Sequence, residues 1–214
     1  EHFQKPRFSV SCQHYSFAVN AFIDVIRKYN ADAYSFTLRE TQTYEIIDDV
    51  SLGRSEIGIL YLSEHNESVL SKIIQKSDLV FDEIYRAKPH VFISGQHPLA
   101  GRKIITVEDL KPYPYLVFEQ GKHNSFYYSE EFLSSLELPK NIMVRDRATL
   151  FNLLIGLNGF TVSSGIIDPK LNGENIISVP LDVDETMTIG IITRRNTTPT
   201  RYGKAYREAI KRHI

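Results

Sequence analysis

The chain has 214 residues, of which 42% are hydrophobic and 24% are charged, and its formal net charge is -1. This composition is typical of a folded protein of one large or two small domains, and it excludes a wholly disordered chain. The near-neutral charge excludes the basic footprint of a nucleic-acid-binding domain within these residues. The single cysteine, Cys12, excludes an internal disulfide framework. No apolar run approaches the roughly 18 residues that cross a bilayer, so we expect no membrane contact.

Short apolar runs alternate with amphipathic segments over the first 63 residues, which predicts a βαβαβ unit. The predicted strands are 8–12, 34–39 and 57–62. Ser16 is placed to cap the first helix, and Thr41 or Thr43 to cap the second. Gly53 follows the second helix where a left-handed residue is favoured.

The rest of the chain continues the alternation, so we predict an α/β fold with a mainly parallel sheet. Helices are predicted at 68–76, 106–110, 125–136 and 148–157, and an amphipathic helix near the C-terminus. Strands are predicted at 79–87, 89–94, 115–118, 141–145, 160–162, 176–180 and 187–193.

Patterns that would indicate catalysis or a bound metal are missing from the sequence. Seven histidines form no i, i+4 metal pair, and one cysteine cannot form a zinc site. Cys12 and His14 share a strand face, but without a third orienting group we interpret Cys12 as a small buried hydrophobe. The adjacent pairs Asp48-Asp49 and Glu130-Glu131 are interpreted as solvated faces of helices. With no Gly-rich phosphate loop either, we expect no enzyme, no cofactor and no metal.

Five segments, in order, resemble one family, the LysR-type transcriptional regulators. They are the glycine–acid–strand pattern in 49–60, the HPLA of 97–100, the short helix 105–110, the strand 115–118 and the turn 156–162. The chain departs from the family pattern at three places. Glu56 stands where Asp is usual, Asn158 interrupts a glycine pair, and Ser163-Ser164 replaces Leu-Pro.

The resemblance implies two Rossmann-like lobes of periplasmic-binding-protein type, joined by two crossover strands, with an effector cleft between them. Residues 1–86 plus 182–214 would form lobe I, and 87–181 would form lobe II. It also implies a cytoplasmic protein that forms a homodimer or homotetramer. DNA would be bound only through a winged helix-turn-helix domain that is absent from these residues.

Polar loops at the carboxyl ends of the predicted strands indicate where a ligand would bind, since small molecules bind there in open α/β sheets. Helix N-termini favour an anionic group, so we expect a small anionic metabolite. The candidate ligand-binding residues are Tyr15, Ser16, Thr41, Gln42, Ser63, Gln120, Arg147, Ser163 and Ser164. Two alternatives stay open: each hydroxyl residue could be a helix cap alone, and Arg147 a surface or salt-bridge residue.

We expect the chain to be the effector-sensing domain of a LysR-type regulator. The alternative is a secreted solute-binding protein of a transport system, which would share the two-lobed fold. A helix-turn-helix encoded upstream would favour the regulator, whereas an export signal would favour the transport protein.

Overall fold

The computed structural model describes residues 5–134, 136–172 and 175–214, in two layers of sheet with flanking helices. The elements in chain order are β1 (Arg7–Cys12), α1 (Ser16–Tyr29), β2 (Ser35–Glu40), α2 (Thr43–Ser51), β3 (Ile57–Leu62), α3 (Glu67–Lys76), β4 (Leu79–Ala87), β5 (His90–Ser94), α4 (Val107–Leu110), β6 (Tyr115–Phe118), a 3-10 helix (Phe126–Tyr128), β7 (Asn141–Val144), α5 (Arg147–Leu157), β8 (Thr161–Ser163), α6 (Pro169–Asn172), β9 (Ile176–Pro180), β10 (Met187–Arg194) and α7 (Arg201–Ile210). The α/β class predicted from the sequence is confirmed.

The first sheet has five strands in the order β2-β1-β3-β10-β4. Strand β1 pairs in parallel with β2 and β3, whereas β10 is antiparallel to both β3 and β4. All six residues of β3 are buried, as its continuous apolar run predicts. The expectation of a mainly parallel sheet is wrong, because the returning C-terminal strand inserts between two N-terminal ones.

The second sheet contains β5, which lies between β8 and β9 and is antiparallel to both. Beside it β6 pairs in parallel with β7, and a bridge between Tyr115 and Phe160 connects the two groups of strands. The chain therefore leaves the first sheet after β4 and returns to it at β10.

The segment 125–136, predicted as one helix, is instead a 3-10 turn at Phe126–Tyr128 followed by irregular backbone; residue 135 of this prediction lies outside the described residues. The four consecutive side chains of residues 130–133 are all buried. The composition of this segment allows a helix, but the four buried side chains are held by contacts with distant elements, such as the bond from the His14 amide to Glu130 and from the Phe118 amide to Glu131.

Two of the motifs that resemble the LysR family contact each other. The His97 imidazole donates from Nε2 to the Asn158 carbonyl at 3.0 Å, and its Nδ1 accepts from the Leu99 amide at 3.0 Å. Asn158 ends α5 in the left-handed conformation, with φ of 48°. Burial lowers the pKa of His97, which favours the neutral ring that these two bonds require. The HPLA segment therefore fixes the turn after α5.

The C-terminal helix α7 packs on α1 and completes the core of the first sheet. The Tyr206 hydroxyl donates to the Ala18 carbonyl at 2.9 Å, and the Tyr206 ring packs edge-on against Phe8 and Phe22. At the start of α7, the Glu56 carboxylate accepts from the amide and hydroxyl of Thr200. Glu56, which replaces the usual aspartate, thus ties the β3 entrance to the C-terminal helix. Among the described residues, no helix combines the length and apolarity required to span a bilayer.

Gly190, at the centre of β10, gives a test of packing in the first sheet. A Cβ at this position would lie 2.2 Å from the Phe81 ring, in a strand paired on both sides. We expect Gly190→Ala to lower the free energy of unfolding by about 1–3 kcal/mol through overpacking. Gly156→Ala is the matched control, because it meets no atom within 4 Å in α5. That change should raise stability by up to about 1 kcal/mol. Equal urea midpoints for the two variants would contradict this account.

Candidate functional site

A small cavity lies where the first and second sheets face each other, and we call it the cleft cavity. It is lined by His14, Ser16, Phe92, Phe118, Glu130, Glu131, Arg147, Leu150, Phe151, Thr161, Val162, Ser163 and Ile166. His14 and Ser16 follow β1 of the first sheet, while the remaining residues belong to the second sheet and its loops. The volume is about 30 Å³, which is room for about two water molecules.

A second, more polar cavity adjoins it, and we call it the side cavity. Its volume is about 300 Å³, and it shares His14, Phe118 and Glu130 with the cleft cavity. Its other lining residues are Glu40, Thr41, Gln42, Glu45, Glu119, Gln120 and Arg145. The two cavities therefore adjoin each other between the sheets, the cleft cavity with a mixed, largely apolar lining and the side cavity with a polar one.

Arg147, the first residue of α5, reaches across the cleft to the first sheet. Its Nη1 donates to the Ser16 hydroxyl at 3.2 Å, and its Nη2 donates to the Glu40 carboxylate at the end of β2. Burial raises the pKa of Glu40, although the Arg147 charge acts in the opposite direction. Arg147 is therefore a salt-bridge residue in this form, and the ion pair holds the two sheets together.

His14 and Glu130 form a second ionic contact between the sheets. The Glu130 carboxylate lies 2.9 Å from His14 Nδ1 and also accepts from the His14 backbone amide. The imidazole stacks face to face on Phe118, with 3.6 Å between ring centroids. Burial lowers the pKa of His14, but the Glu130 charge and hydrogen bond outweigh that effect and raise it overall. The geometry thus favours an imidazolium paired with Glu130.

Glu131 is buried beside Glu130 and lines the cleft cavity, with only 2% of its surface exposed. Its Oε1 accepts from the Phe118 amide at 2.7 Å, whereas Oε2 has no hydrogen-bond partner within the described part of the chain. Burial and then the Glu130 charge raise the pKa of Glu131 well above its usual value. The interpretation of Glu130-Glu131 as a solvated helix face is wrong, because both side chains face the interior.

Neutral hydrogen bonds also connect the sheets at the start of α2. The Thr43 amide donates to Gln120 Oε1 at 3.0 Å, and the Thr43 hydroxyl accepts from Gln13 Nε2 at 2.8 Å. Gln13 Oε1 in turn accepts from the Tyr61 amide and the Tyr15 hydroxyl. Each polar group in this buried chain has a partner, so the contact specifies one arrangement of the sheets.

The structure brings six of the nine predicted ligand-binding residues to the two cavities. Ser16, Arg147 and Ser163 line the cleft cavity. Thr41, Gln42 and Gln120 line the side cavity. Three of the nine predicted residues therefore line each cavity, and the remaining three lie elsewhere in the fold.

The other three, Tyr15, Ser63 and Ser164, line neither cavity. Tyr15 is buried in the core and stacks on Phe17. Ser63 lines a separate surface pocket beside α3. Ser164 is buried, and its hydroxyl has no partner among the described residues. The prediction that these three residues share one cleft with the other six is therefore not supported by their positions.

The predicted helix caps are also wrong at this edge. The N-cap positions of α1 and α2 are Tyr15 and Gln42, and neither side chain makes a capping hydrogen bond. Ser16 and Thr43 are instead the first helical residues. The Ser16 hydroxyl accepts from Arg147 across the cleft, and the Thr43 hydroxyl accepts from Gln13 beside the first sheet, so each hydroxyl has a role other than that of an N-cap.

Sequence reasoning missed four charged residues of the site, namely His14, Glu40, Glu130 and Glu131. Two of them carried a signal in the sequence, since His14 lies in the polar loop after β1 and Glu40 ends β2, directly before the polar residues Thr41 and Gln42. Glu130 and Glu131 carried none, because their burial depends on the irregular segment after the 3-10 helix. Within the described residues, no group of three or more His, Cys, Asp or Glu side chains is arranged to hold a metal ion.

The His14–Glu130 pair predicts that the cost of mutating His14, measured as a loss in free energy of unfolding, depends on pH. Because the folded-state pKa of His14 is raised, the pair contributes fully below the unfolded value of about 6.5. The contribution is lost as pH rises through the folded pKa. The stability difference between wild type and His14→Gln should therefore shrink on going from about pH 6 to pH 8.

Titration of the His14 imidazole by NMR gives the sharper measurement. Glu130→Gln removes the charge, so burial alone should then hold the pKa of His14 below about 6.5. Glu137→Gln, at an exposed glutamate of the same segment, is the control and should leave the titration unchanged. An unaltered His14 titration in Glu130→Gln would contradict the pairing.

Solved structures similar to this fold are effector-binding and regulatory domains. The effector-binding domain of a BenM variant matches with a TM-score of 0.65 at 17% identity, covering 97% of this chain and 94% of that one. The effector-binding domain of QuiR in complex with shikimate matches at 0.62 and 16% identity, covering 98% and 97%. The reduced OxyR regulatory domain from Pseudomonas aeruginosa matches at 0.63 and 15% identity, covering 97% and 98%. Identities this low show the fold alone, and they confirm the periplasmic-binding-protein-like architecture.

Sequence comparison agrees with this fold. A probable nitrogen assimilation transcriptional activator of Synechocystis sp. is 32% identical over 65 residues, which are 30% of this chain and 21% of that protein. The aligned segment thus spans about a fifth of the activator's length. The family model of the LysR substrate binding domain matches residues 12–214. Since that match covers nearly the whole chain, the protein belongs to the LysR substrate-binding domain family.

Proposed function

We propose that this chain senses a small metabolite for a LysR-type transcriptional regulator, binding it in the cleft cavity. One observation carries the proposal: the cleft cavity is lined from both sheets, with the first residues of α1 and α5 facing each other across it. Family membership supports a regulatory role over a secreted solute-binding protein. The complex of QuiR with shikimate supports a small molecule as the occupant.

The two lobes of the proposal keep the bounds expected from the sequence, 1–86 plus 182–214 and 87–181. Support comes from the strand assignments. Strand β4 ends at Ala87 and β5 begins at His90, and the chain passes back between Pro180 of β9 and Met187 of β10. The β4–β5 and β9–β10 connections are both short. Such connections suit a hinge between lobes, because only a few residues need to change their backbone angles when the lobes move.

Signal transmission in this proposal is a shift between closed and open arrangements of the lobes. The closed form has little empty volume, since charged side chains fill the cleft. An effector of metabolite size must therefore rearrange contacts such as Arg147–Glu40 and His14–Glu130. Differential affinity for the two arrangements, typically about 1–3 kcal/mol, would reposition DNA-binding domains carried elsewhere in the full protein.

The remaining parts of the proposal concern chemistry, assembly and location. We infer binding without catalysis, supported by the buried Cys12 thiol, whose pKa burial raises well above the usual value. A protonated thiol is a poor nucleophile.

We further infer a cytoplasmic homodimer or homotetramer that binds DNA through a separate winged helix-turn-helix. Sedimentation of the domain at micromolar concentration tests the assembly, and a monomer alone would contradict it.

A thermal-shift screen of small carboxylates, amino acids and amines tests the proposed function. A ligand at about 100 times its Kd should add about 2.7 kcal/mol of stability. With a ligand in hand, Ser16→Ala should weaken binding up to about 10-fold, because Arg147 loses one of its bonds in the cleft. Ser68→Ala, at an exposed serine of α3, is the matched control. Unchanged affinity in Ser16→Ala and in Ser163→Ala would contradict this site.

A further inference from the structure

Among the described residues, the charges that line the cleft cavity are paired with one exception. His14 pairs with Glu130, and Arg147 pairs with Glu40 and with the Ser16 hydroxyl. The exception is the Glu131 carboxyl: one oxygen accepts from the Phe118 amide, and the other has no partner at hydrogen-bond distance, although the Ser129 hydroxyl and the Glu131 amide lie near enough to lower its pKa. In the ionised form that oxygen is a buried acceptor without a donor, which costs roughly 1–3 kcal/mol. An occupant of this cavity that brings a donor to Glu131 would remove that cost.

Charge balance decides what kind of donor suits the position. With Glu131 ionised, the cleft would contain three carboxylates against Arg147 and the His14 imidazolium. With Glu131 protonated, the cleft is neutral. Burial raises the pKa of Glu131 well above its usual value, which favours the protonated form when the cavity is empty. An ammonium that replaces this proton keeps the cleft neutral even when the ligand rearranges the contacts of Arg147 and His14, whereas an anion would leave a net negative charge.

Apart from the hydroxyl residues Thr161 and Ser163, the rest of the lining is apolar and favours a hydrocarbon group on the same molecule. The apolar side chains are Phe92, Phe118, Leu150, Phe151, Val162 and Ile166. A carboxyl group surrounded in this way is suited to an ammonium attached to a small apolar body. Three N–H donors on an ammonium can satisfy the carboxylate at short range with charge-assisted bonds.

We propose that the effector carries a protonated primary amine that binds Glu131 and an apolar group that contacts Phe92, Leu150 and Phe151. The ligand class is therefore the apolar amines, including apolar α-amino acids, rather than simple carboxylates. This inference rests on the proposed function, because it assigns the ligand of the same cavity. A carboxylate on the ligand is compatible with it, but the amine is the required group.

Two matched sets of probes separate the amine from the carboxylate. One set is phenylalanine, phenethylamine and hydrocinnamate; the other is leucine, isoamylamine and isocaproate. We expect at least one amine-bearing member to raise the Tm of the wild-type domain, and its deaminated counterpart to leave Tm unchanged. Binding of hydrocinnamate or isocaproate in preference to the amines would overturn the amine assignment and leave the proposed function in place. If none of the six probes raises the Tm, the amine assignment is also overturned. The proposed function is then tested separately by the wider ligand screen.

Glu131→Gln tests the residue itself. The amide oxygen can still accept from the Phe118 amide, so the fold is retained while the charge is removed. Affinity for the amine probe should fall at least about 10-fold, which corresponds to about 1.4 kcal/mol. Glu137→Gln, at an exposed glutamate of the same segment, is the control and should bind as wild type. Equal affinity of Glu131→Gln and wild type would overturn the assignment.

Proton release gives a readout that does not depend on a variant's stability. If Glu131 is protonated in the empty cavity, binding of an ammonium should release close to one proton. Calorimetry of the wild type in two buffers of different ionisation enthalpy measures this number. The neighbouring titratable groups are Glu130, His14, Tyr61 and Tyr115, with Arg147 and Glu40 across the cavity. Because Glu131→Gln keeps all of these, release by the variant equal to that of the wild type would overturn the role of Glu131.

Discussion

Pairing of opposite charges in the closed cleft is the constraint on which the rest of the site depends. Removing an ion from water costs several kcal/mol, so each buried charge requires a partner across the gap. Arg147 meets Glu40, and His14 meets Glu130, each pair joining one sheet to the other. Loss of one partner leaves an uncompensated charge, which costs about 3–5 kcal/mol when the site is fully buried. These ion pairs join the two sheets, and in the proposed mechanism they are the contacts that a charged ligand would replace.

The hydrogen bonds through Thr43, Gln13 and Gln120 stabilise the fold in a different way from the ion pairs. They are neutral and fully paired, so they favour one register of α2 against the second sheet without responding to ligand charge. Glu131 differs from both kinds of contact, since it is ionisable but one of its oxygens has no hydrogen-bond partner among the described residues. The cleft thus combines neutral paired contacts, ion pairs and one acceptor without a donor. The proposed opening and closing of the cleft would depend on the ion pairs and on this acceptor.

Most of the residues by which the chain resembles its family maintain the fold, although Phe118 and Val162 also line the cleft cavity. His97 fixes the turn at Asn158, and Glu56 holds the start of α7 through Thr200. Ser163, one of the departures from the family pattern, lines the cleft cavity. Family patterns therefore predict the scaffold, whereas the ligand depends on side chains at the carboxyl ends of the strands.

The sequence by itself determined the α/β class, the family and most of the elements, because hydrophobic period and capping act over a few residues. Strand 57–62 and strand 79–87 appear as predicted, and the short helix predicted at 106–110 is α4, for which Thr106 is the N-cap. It also placed Ser16, Arg147 and Ser163 at the cleft, since polar loops after buried strands meet at one edge of a sheet.

Only the tertiary structure decided the strand order, the irregular segment after the 3-10 helix and the charge pairs of His14, Glu40 and Glu130. These features depend on contacts between residues far apart in sequence, such as Arg147 and Glu40 at a separation of 107. No local pattern determines whether a glutamate is buried when a distant segment supplies the residues that cover it.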